Sequence, residues 1–569
     1  MGNKKSVGVQ LKKMIPGYAF AAPGVIFVAV YMGYPLLRSL YLSFTNYNFA
    51  FDKKPVFAGL SNFAKMFSDA YFMDSLRNTV VFSLLFFPSI MIISLIIAML
   101  LDKGVRGSGI FRTCVFVSMV VPLSLTGIIF QWILNNQYGL LNSVLREMLH
   151  LDTWAHNWLG EGKWAMFSIV IVSLWKNMGM LVIFFMAGLA GIPSDIIESA
   201  KIDGANAFQR IFRIILPNLK ESYVICGLWA IIQSVKVFEQ PFVMTNGGPG
   251  TSTLVLYQYT WMNAFKYYEM GYASAIGYET EKDRKKEEQG MSIKKNAGSI
   301  AVFILLFVIS FIFIIPFIWT MLTSLKPDEE IYSSVLTFLP VNPYLGHYTG
   351  IFTKLGNFFK YFSNSVVVSF WSVLFNVLFA ATLGYSFSKF QYWGRDLFLG
   401  FVLLIITLPY VIYLIPIYIM QSRFDLIDTR LGLILPYIAT NLPMSVFIMR
   451  GQFNGVPNEM MEAARIDGAG QWQTFSRVML PIVKPGIATV IIMTFISVWG
   501  EFTYARTLCT TAKSQTLAVG ITFLRDEAAS WQYGTLTATI ILSLIPVLAI
   551  FLSMQKYFIK GIMAGAVKG

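Results

Sequence analysis

The chain has 569 residues, 56% hydrophobic and only 13% charged, with a mean hydropathy of +0.61. A soluble domain carries about 25% charge, so this composition excludes a large soluble enzyme and points to an integral membrane protein. The net charge of +14 would suit a nucleic-acid binder, but the basic residues flank apolar runs, as they do beside a membrane.

In chain order, Lys4, Lys5, Lys12 and Lys13 precede a charge-free apolar run over 15–37. That run is too long for a signal-peptide core, so it is expected to remain as an anchor with the N-terminus in the cytoplasm. Crossing about 30 Å of hydrocarbon takes roughly 20 apolar residues at about 1.5 Å each. Runs over 78–101, 113–134 and 165–189 meet this, and 222–238 is short but adequate. Lys103, Arg106, Arg112, Lys201, Arg210, Arg213 and Lys220 are expected inside, and the loops over 38–77 and 135–163 outside. The three cysteines, Cys114, Cys226 and Cys509, give no disulfide or metal spacing. His150, His156 and His347 fall in polar connections and read as solvated loop residues.

After 238 comes an ambiguous stretch over 253–278, aromatic but carrying Asn263, Lys266 and Glu269. A charge at the bilayer centre costs about 2.5–3.5 kcal/mol on insertion scales, so this is a poor span, although Lys266 and Glu269 are spaced to pair. The segment over 279–290 holds nine charges in twelve residues and reads as a solvated linker. Lys294 and Lys295 then open a second series of runs: 297–322, 364–388, 397–420, 431–449, 487–498 and 534–553. Three units result: 1–278, a first half of five clear spans; 279–296, the linker and start of a second unit; and 297–569, a half of six spans with a tail.

One stretch occurs twice. Residues 198–217 and 462–481 align without a gap at an offset of 264, with ten of twenty positions identical. Each follows a Gly-Ile/Val-Pro, at 191–193 and 455–457. Pro193-Ser194 and Pro457-Asn458 offer N-caps. A short helix with acidic residues toward its start is expected over 195–203 and 459–467. Gly204 and Gly468 permit a turn, and Leu216-Pro217 and Leu480-Pro481 mark the approach to the next span. A single copy could be an interfacial amphipathic loop; two copies in matching places suit a docking surface for a two-headed partner.

This motif resembles the Glu-Ala-Ala…Gly…Leu-Pro loop of permease subunits in binding-protein-dependent ABC importers. Residues 21–23, 34–35, 39–47, 59–63, 77–79 and 245–253 are similar to the first, maltose-type subunit of the sugar-importing branch. Residues 316–319, 323–326, 394–395 and the tail over 557–569 are similar to its partner subunit. The likeness covers nearly the whole chain except 279–290. In that family the two permeases are normally separate chains, and a sixth span follows the Gly-Tyr-Ala-Ser-Ala-Ile segment matched here by 271–276. This chain goes straight to charge instead.

The resemblance implies an all-α integral membrane fold, two tandem bundles of the type I importer permease class with about 11 transmembrane helices. It implies a permease that couples ATPase closure to alternating access for a sugar or oligosaccharide, in a bacterial cell membrane with both termini cytoplasmic. Its partners would be two ABC ATPase subunits, an extracytoplasmic sugar-binding protein and membrane lipid, with no nucleic acid. The ATPase-coupling residues would be Glu198, Ala200, Asp203, Gly204, Leu216 and Pro217, with Glu462, Ala463, Ala464, Asp467, Gly468, Leu480 and Pro481. The chain offers no phosphate-binding Gly-x-x-x-x-Gly-Lys-Ser/Thr loop, and Gly247-Gly-Pro-Gly250 lacks the lysine. It is therefore expected to bind no cofactor and not to be an enzyme, with ATP and magnesium on separate subunits.

Polar residues inside a membrane often face a cavity. On that ground Gln233, Glu239 and Gln240 in the first half, and Thr494, Ser497, Trp499, Glu501 and Tyr504 in the second, are candidate substrate residues. Ser234, on the same span as Gln233, is another such candidate, and Trp175, Lys176 and Asn177 in the fourth span add a further polar cluster. The competing role for each is a helix–helix hydrogen bond or an interface anchor. An ion-driven secondary transporter would want acidic residues mid-span, which are nearly absent, and a membrane enzyme would want a nucleophile–histidine arrangement, which is missing. An importer of glycerol phosphates is the remaining alternative.

Overall fold

A computed structural model describes residues 2–102, 108–279, 299–333, 335–408, 410–525 and 532–566. The first half begins with α1 (Gly2–Val28), which runs through a π turn into α2 (Tyr34–Ser43). It continues with α3 (Ala70–Asp102), α4 (Ser108–Val120), α5 (Leu123–Ile133), α6 (Gly162–Ala190) and α7 (Lys220–Val235), and closes with the short α8 (Leu256–Phe265) and α9 (Met270–Glu279). The second half comprises α10 (Ser299–Thr323), α11 (Phe358–Lys389), α12 (Arg395–Thr407), α13 (Val411–Arg423), α14 (Arg430–Asn454), α15 (Lys484–Trp499) and α16 (Tyr533–Ala566).

Eight helices of the described residues are long and apolar enough to cross a membrane, or eleven spans if each of three bent helix pairs counts once. The runs over 113–134 and 397–420, expected as single spans, are bent by 102° between α4 and α5 and by 99° between α12 and α13. At the first bend, Pro122 has no N–H to give the preceding turn. The Lys176 ammonium on α6 replaces it, donating to the carbonyls of Ser118 at 3.3 Å, Met119 at 2.6 Å and Val121. Lys176, a candidate for a polar cluster, is therefore the cap that holds a broken helix.

The two halves repeat their hydrogen bonds as well as their sequence. Asn78 on α3 donates to the carbonyls of Thr251 and Leu254 at 2.6 and 3.0 Å, and Asn364 on α11 to those of Ala512 and Gln515 at 3.3 and 2.8 Å. Beside them, Thr79 Oγ1 accepts from the Leu256 amide at 2.9 Å, and Ser365 Oγ from the Leu517 amide at 2.8 Å. Each pair fixes the loop after a fifth span onto the start of a second one.

The first spans are exchanged. α1 packs on α11 of the other half: Ser386 donates to the Gly17 carbonyl at 2.7 Å, and a Cβ at Gly24 would come within 2.4 Å of Leu383. Reciprocally, α10 packs on the first half, with Phe313 and Phe317 against Trp175 at 6.3 and 5.6 Å. One apolar core therefore contains residues of both halves.

The stretch over 253–278 holds two helices of ten residues, each about 15 Å long and half of what a crossing needs. Lys266 and Glu269 do not pair: Glu269 meets Lys65 at 2.8 Å, and Lys266 stands over the Tyr267 ring. α9 starts beside the Thr45 carbonyl, and the Tyr278 hydroxyl donates to Leu36 within the α1–α2 span. α9 thus packs along the α1–α2 span, while α16 at the end of the second half runs for 34 residues. The charged linker lies outside the described residues. His347, expected in a solvated loop, is buried, its Nε2 2.8 Å from the Lys326 carbonyl.

Candidate coupling face and translocation site

Both copies of the repeated motif lie on one face of the molecule. α6 and α14 end where the motif loops begin, and a Cβ at Gly384 near the end of α11 would touch Met449 near the end of α14. The same end of α11 holds the start of α1 through the Tyr18–Trp393 hydrogen bond. The far end of the α1–α2 span instead sits with the start of α3, where Asn62 donates to Ser43 and Thr45.

Locally the copies are the same object. A helix over Ser194–Ile202 or Glu459–Ile466 ends at a glycine of positive φ, +76° at Gly204 and +83° at Gly468. That geometry lets the amide of Ala205 reach the Ala200 carbonyl at 2.9 Å, and that of Ala469 the Ala464 carbonyl at 2.9 Å. The amides of Asp203 and Asp467 close onto Ser199 and Ala463 at 2.9 and 3.0 Å. The next segment starts with a glutamine reaching back, Gln209 to the Asn206 amide and Gln473 to the Gly470 amide, both at 2.9 Å. Asn458 caps with its backbone only, because its side chain accepts from Lys389 at 2.9 Å. Pro217 and Pro481 do not break a helix; each opens a short helical turn after a π segment.

Ala200 and Ala464 are buried, and they anchor the motif helices. Glu198, Glu462, Ala463, Asp203, Asp467, Gly204, Gly468, Pro217 and Pro481 are exposed, and Leu216 and Leu480 are half-buried. Sequence reasoning passed over the most telling pair: Ile202 and Ile466 are 85% and 86% exposed at the same point of each copy. Ile196 and Met460, also at one matching position of the two copies, are exposed too. The signal was present, an apolar residue kept before Asp-Gly in both copies, but a period-based reading assigns isoleucine to a core.

The substrate candidates divide. Thr494 donates to Asn376 at 3.2 Å and Trp499 to the Ser543 carbonyl at 3.0 Å, so both bind helix to helix. Ser497 is exposed and Gln233 half-buried, on separate spans. Glu239, Glu501 and Tyr504 do converge, because each half breaks after its fifth span and the acidic residue follows that break, while of Gln240 the structure shows only that it is buried next to Glu239 in the chain. Glu501 is held by the Tyr437 hydroxyl at 2.6 Å and by the amides of Tyr504 and Ala505 at 2.8 and 3.1 Å. Rings from both halves surround the site: Tyr257 meets Tyr410 at 4.8 Å, Tyr410 meets Tyr504 at 5.7 Å, and Phe242 meets Phe502 at 5.8 Å. Glu239 Oε2, both polar atoms of Gln258 and the Tyr504 hydroxyl are buried without a hydrogen-bond partner. Such groups are costly unless something polar meets them. Gln258, buried on α8, was not among the sequence candidates, since nothing in its local pattern marks it.

The model of the binding-protein-dependent transport system inner membrane component matches residues 90–324 and again 376–563. The chain belongs to that family. It carries the permease domain twice. The probable ABC transporter permease protein YurN of Bacillus subtilis is 33% identical over 270 residues, 47% of this chain and 91% of YurN. The sulfoquinovosyl glycerol transport system permease protein SmoG of Agrobacterium fabrum is 32% identical, over 45% of this permease chain and 82% of SmoG. The arabinooligosaccharides transport system permease protein AraQ of Halalkalibacterium halodurans is 31% identical, over 46% and 93%.

Proposed function

We propose that this two-domain permease is the transmembrane permease component of an ATP-driven importer of a sugar or oligosaccharide. The observation that carries the reading is the pair of matching motif helices on one face, each ending in an exposed isoleucine beside a left-handed glycine. Two ATPase subunits would each seat one helix, and their closure on ATP and magnesium would bring the helices together. Because α1 and α10 cross into the opposite halves, motion of either loop reaches both bundles. Phe20 on α1 stacks on Trp472 of the second motif at 5.9 Å and meets its Phe475, tilted, at 5.1 Å, a direct link of this kind. The carbohydrate class is supported by the names of the relatives and by the aromatic, hydrogen-bonding site around Glu239, Glu501 and Tyr504. An extracytoplasmic binding protein would load that site from the face opposite the motifs.

Uptake of labelled oligosaccharide into proteoliposomes tests this reading. Transport should require the ATPase subunits and ATP, and Ile466→Glu should abolish ATPase retention on purification while leaving the chain in the membrane. Uptake on an ion gradient without ATPase subunits would overturn it.

A further inference from the structure

We propose that a groove between the starts of α3 and α6, on the face opposite the motifs, binds an anionic phospholipid. The groove has a volume of about 620 Å³ and is lined by Asp74, Arg77, Val81 and Leu85 of α3 and by Lys163 and Phe167 of α6. Those four α3 positions follow the 3.6-residue period, so the groove runs about 16 Å along the helix. Its two ends differ in chemistry. At the outer end stand Arg77 and Lys163, both exposed, and neither makes an ion pair within the described residues. Asp74, the one carboxylate lining the groove, accepts from the Thr251 hydroxyl at 2.7 Å, and Glu161, the N-cap of α6, is exposed outside the lining. α6, 29 residues long, begins at Gly162 in the same wall, so its helix dipole adds positive potential. Further along, Val81, Leu85 and Phe167 are 38%, 42% and 44% exposed.

Trp164, stacked on His156 at 4.3 Å and edge-on to Trp158 at 5.2 Å, sets the level of the membrane interface. A headgroup phosphate between Arg77 and Lys163 therefore has its acyl chain carried directly onto the apolar wall. Free phosphate or a soluble sugar would leave that wall uncovered, which favours a lipid as occupant. The site is separate from the Glu239–Glu501 region and rests only on the membrane-spanning reading of α3 and α6.

The test is native mass spectrometry of the full-length chain in mild detergent with added phosphatidylglycerol or phosphatidylcholine. The wild type should retain phosphatidylglycerol preferentially. Arg77→Gln with Lys163→Gln should lower that retention by about tenfold or more, on the scale of basic residues at a membrane surface. Leu85→Trp, which fills the apolar end and keeps every charge, should lower it as well and covers the case in which the double variant misfolds. Equal retention of the two lipids by the wild type, or undiminished phosphatidylglycerol on a folded variant, would overturn the proposal.

Discussion

Lys176 shows how one side chain can decide the path of a span. Its ammonium is buried and faces three carbonyls at the end of a helix broken before Pro122. Replacement by Met keeps the stem and removes the donors, leaving carbonyls without partners at about 1–3 kcal/mol for each buried group. Lys176→Met should lower the melting temperature of the detergent-solubilised chain by several degrees, read by an unfolding dye. A second residue-scale device is Asp69, which accepts from the hydroxyls of Tyr259 and Tyr272 at 2.6 and 2.7 Å. Burial alone would raise its carboxyl pKa, but these bonds and the amides of Phe72 and Tyr71 hold it below the usual aspartate range. A depressed carboxyl contributes stability above its unfolded pKa, near 3.9, and loses it as pH falls through the folded value. Asp69→Asn should therefore destabilise at neutral pH and change little in strong acid, as thermal melts across pH would record.

At the scale of elements, the motif helices depend on the left-handed turn more than on their own length. Gly468 has open space where a Cβ would go, so an added side chain meets strain at φ +83° rather than a clash. Strain of this kind costs on the order of 1 kcal/mol. Gly468→Asp should reorient the motif helix and reduce co-purified ATPase several-fold without loss of membrane insertion; wild-type ATPase levels would contradict this. Most of this level was legible in the sequence: the twin motifs, their turns and the eleven apolar runs are all local signals. The bends were not. Pro122 hints at one, but the residue that stabilises it lies 54 positions later, and no window spans both. The same holds for the substrate candidates, where Thr494 and Trp499 carry the same polar signature as Glu501 and differ only in what packs against them.

For the whole molecule, the asymmetry between halves is the main departure from a true twofold. α16 runs for 34 residues, whereas α9 is described over ten, after which the sequence turns to charge. The start of α1 and the motif loops share a face, and α10 ends beside α5, where Trp132 meets Thr323 at 3.3 Å. α10 therefore begins on the motif face. The linker between α9 and α10 should then be reached from the cytoplasm. A cysteine at Gln289 should react with an impermeant maleimide only after the cells are opened, and labelling of intact cells would refute this.

The exchanged first spans also set a timetable for synthesis. Gly17 receives its hydrogen bond from Ser386, 369 residues further along. At about 5–20 residues per second, α1 waits roughly 20–75 s in the bilayer before the surface it packs on has been made. With two separate subunits that interval would depend on encounter between chains. On one polypeptide it is fixed by the ribosome, and every α1 is followed by a surface of its own.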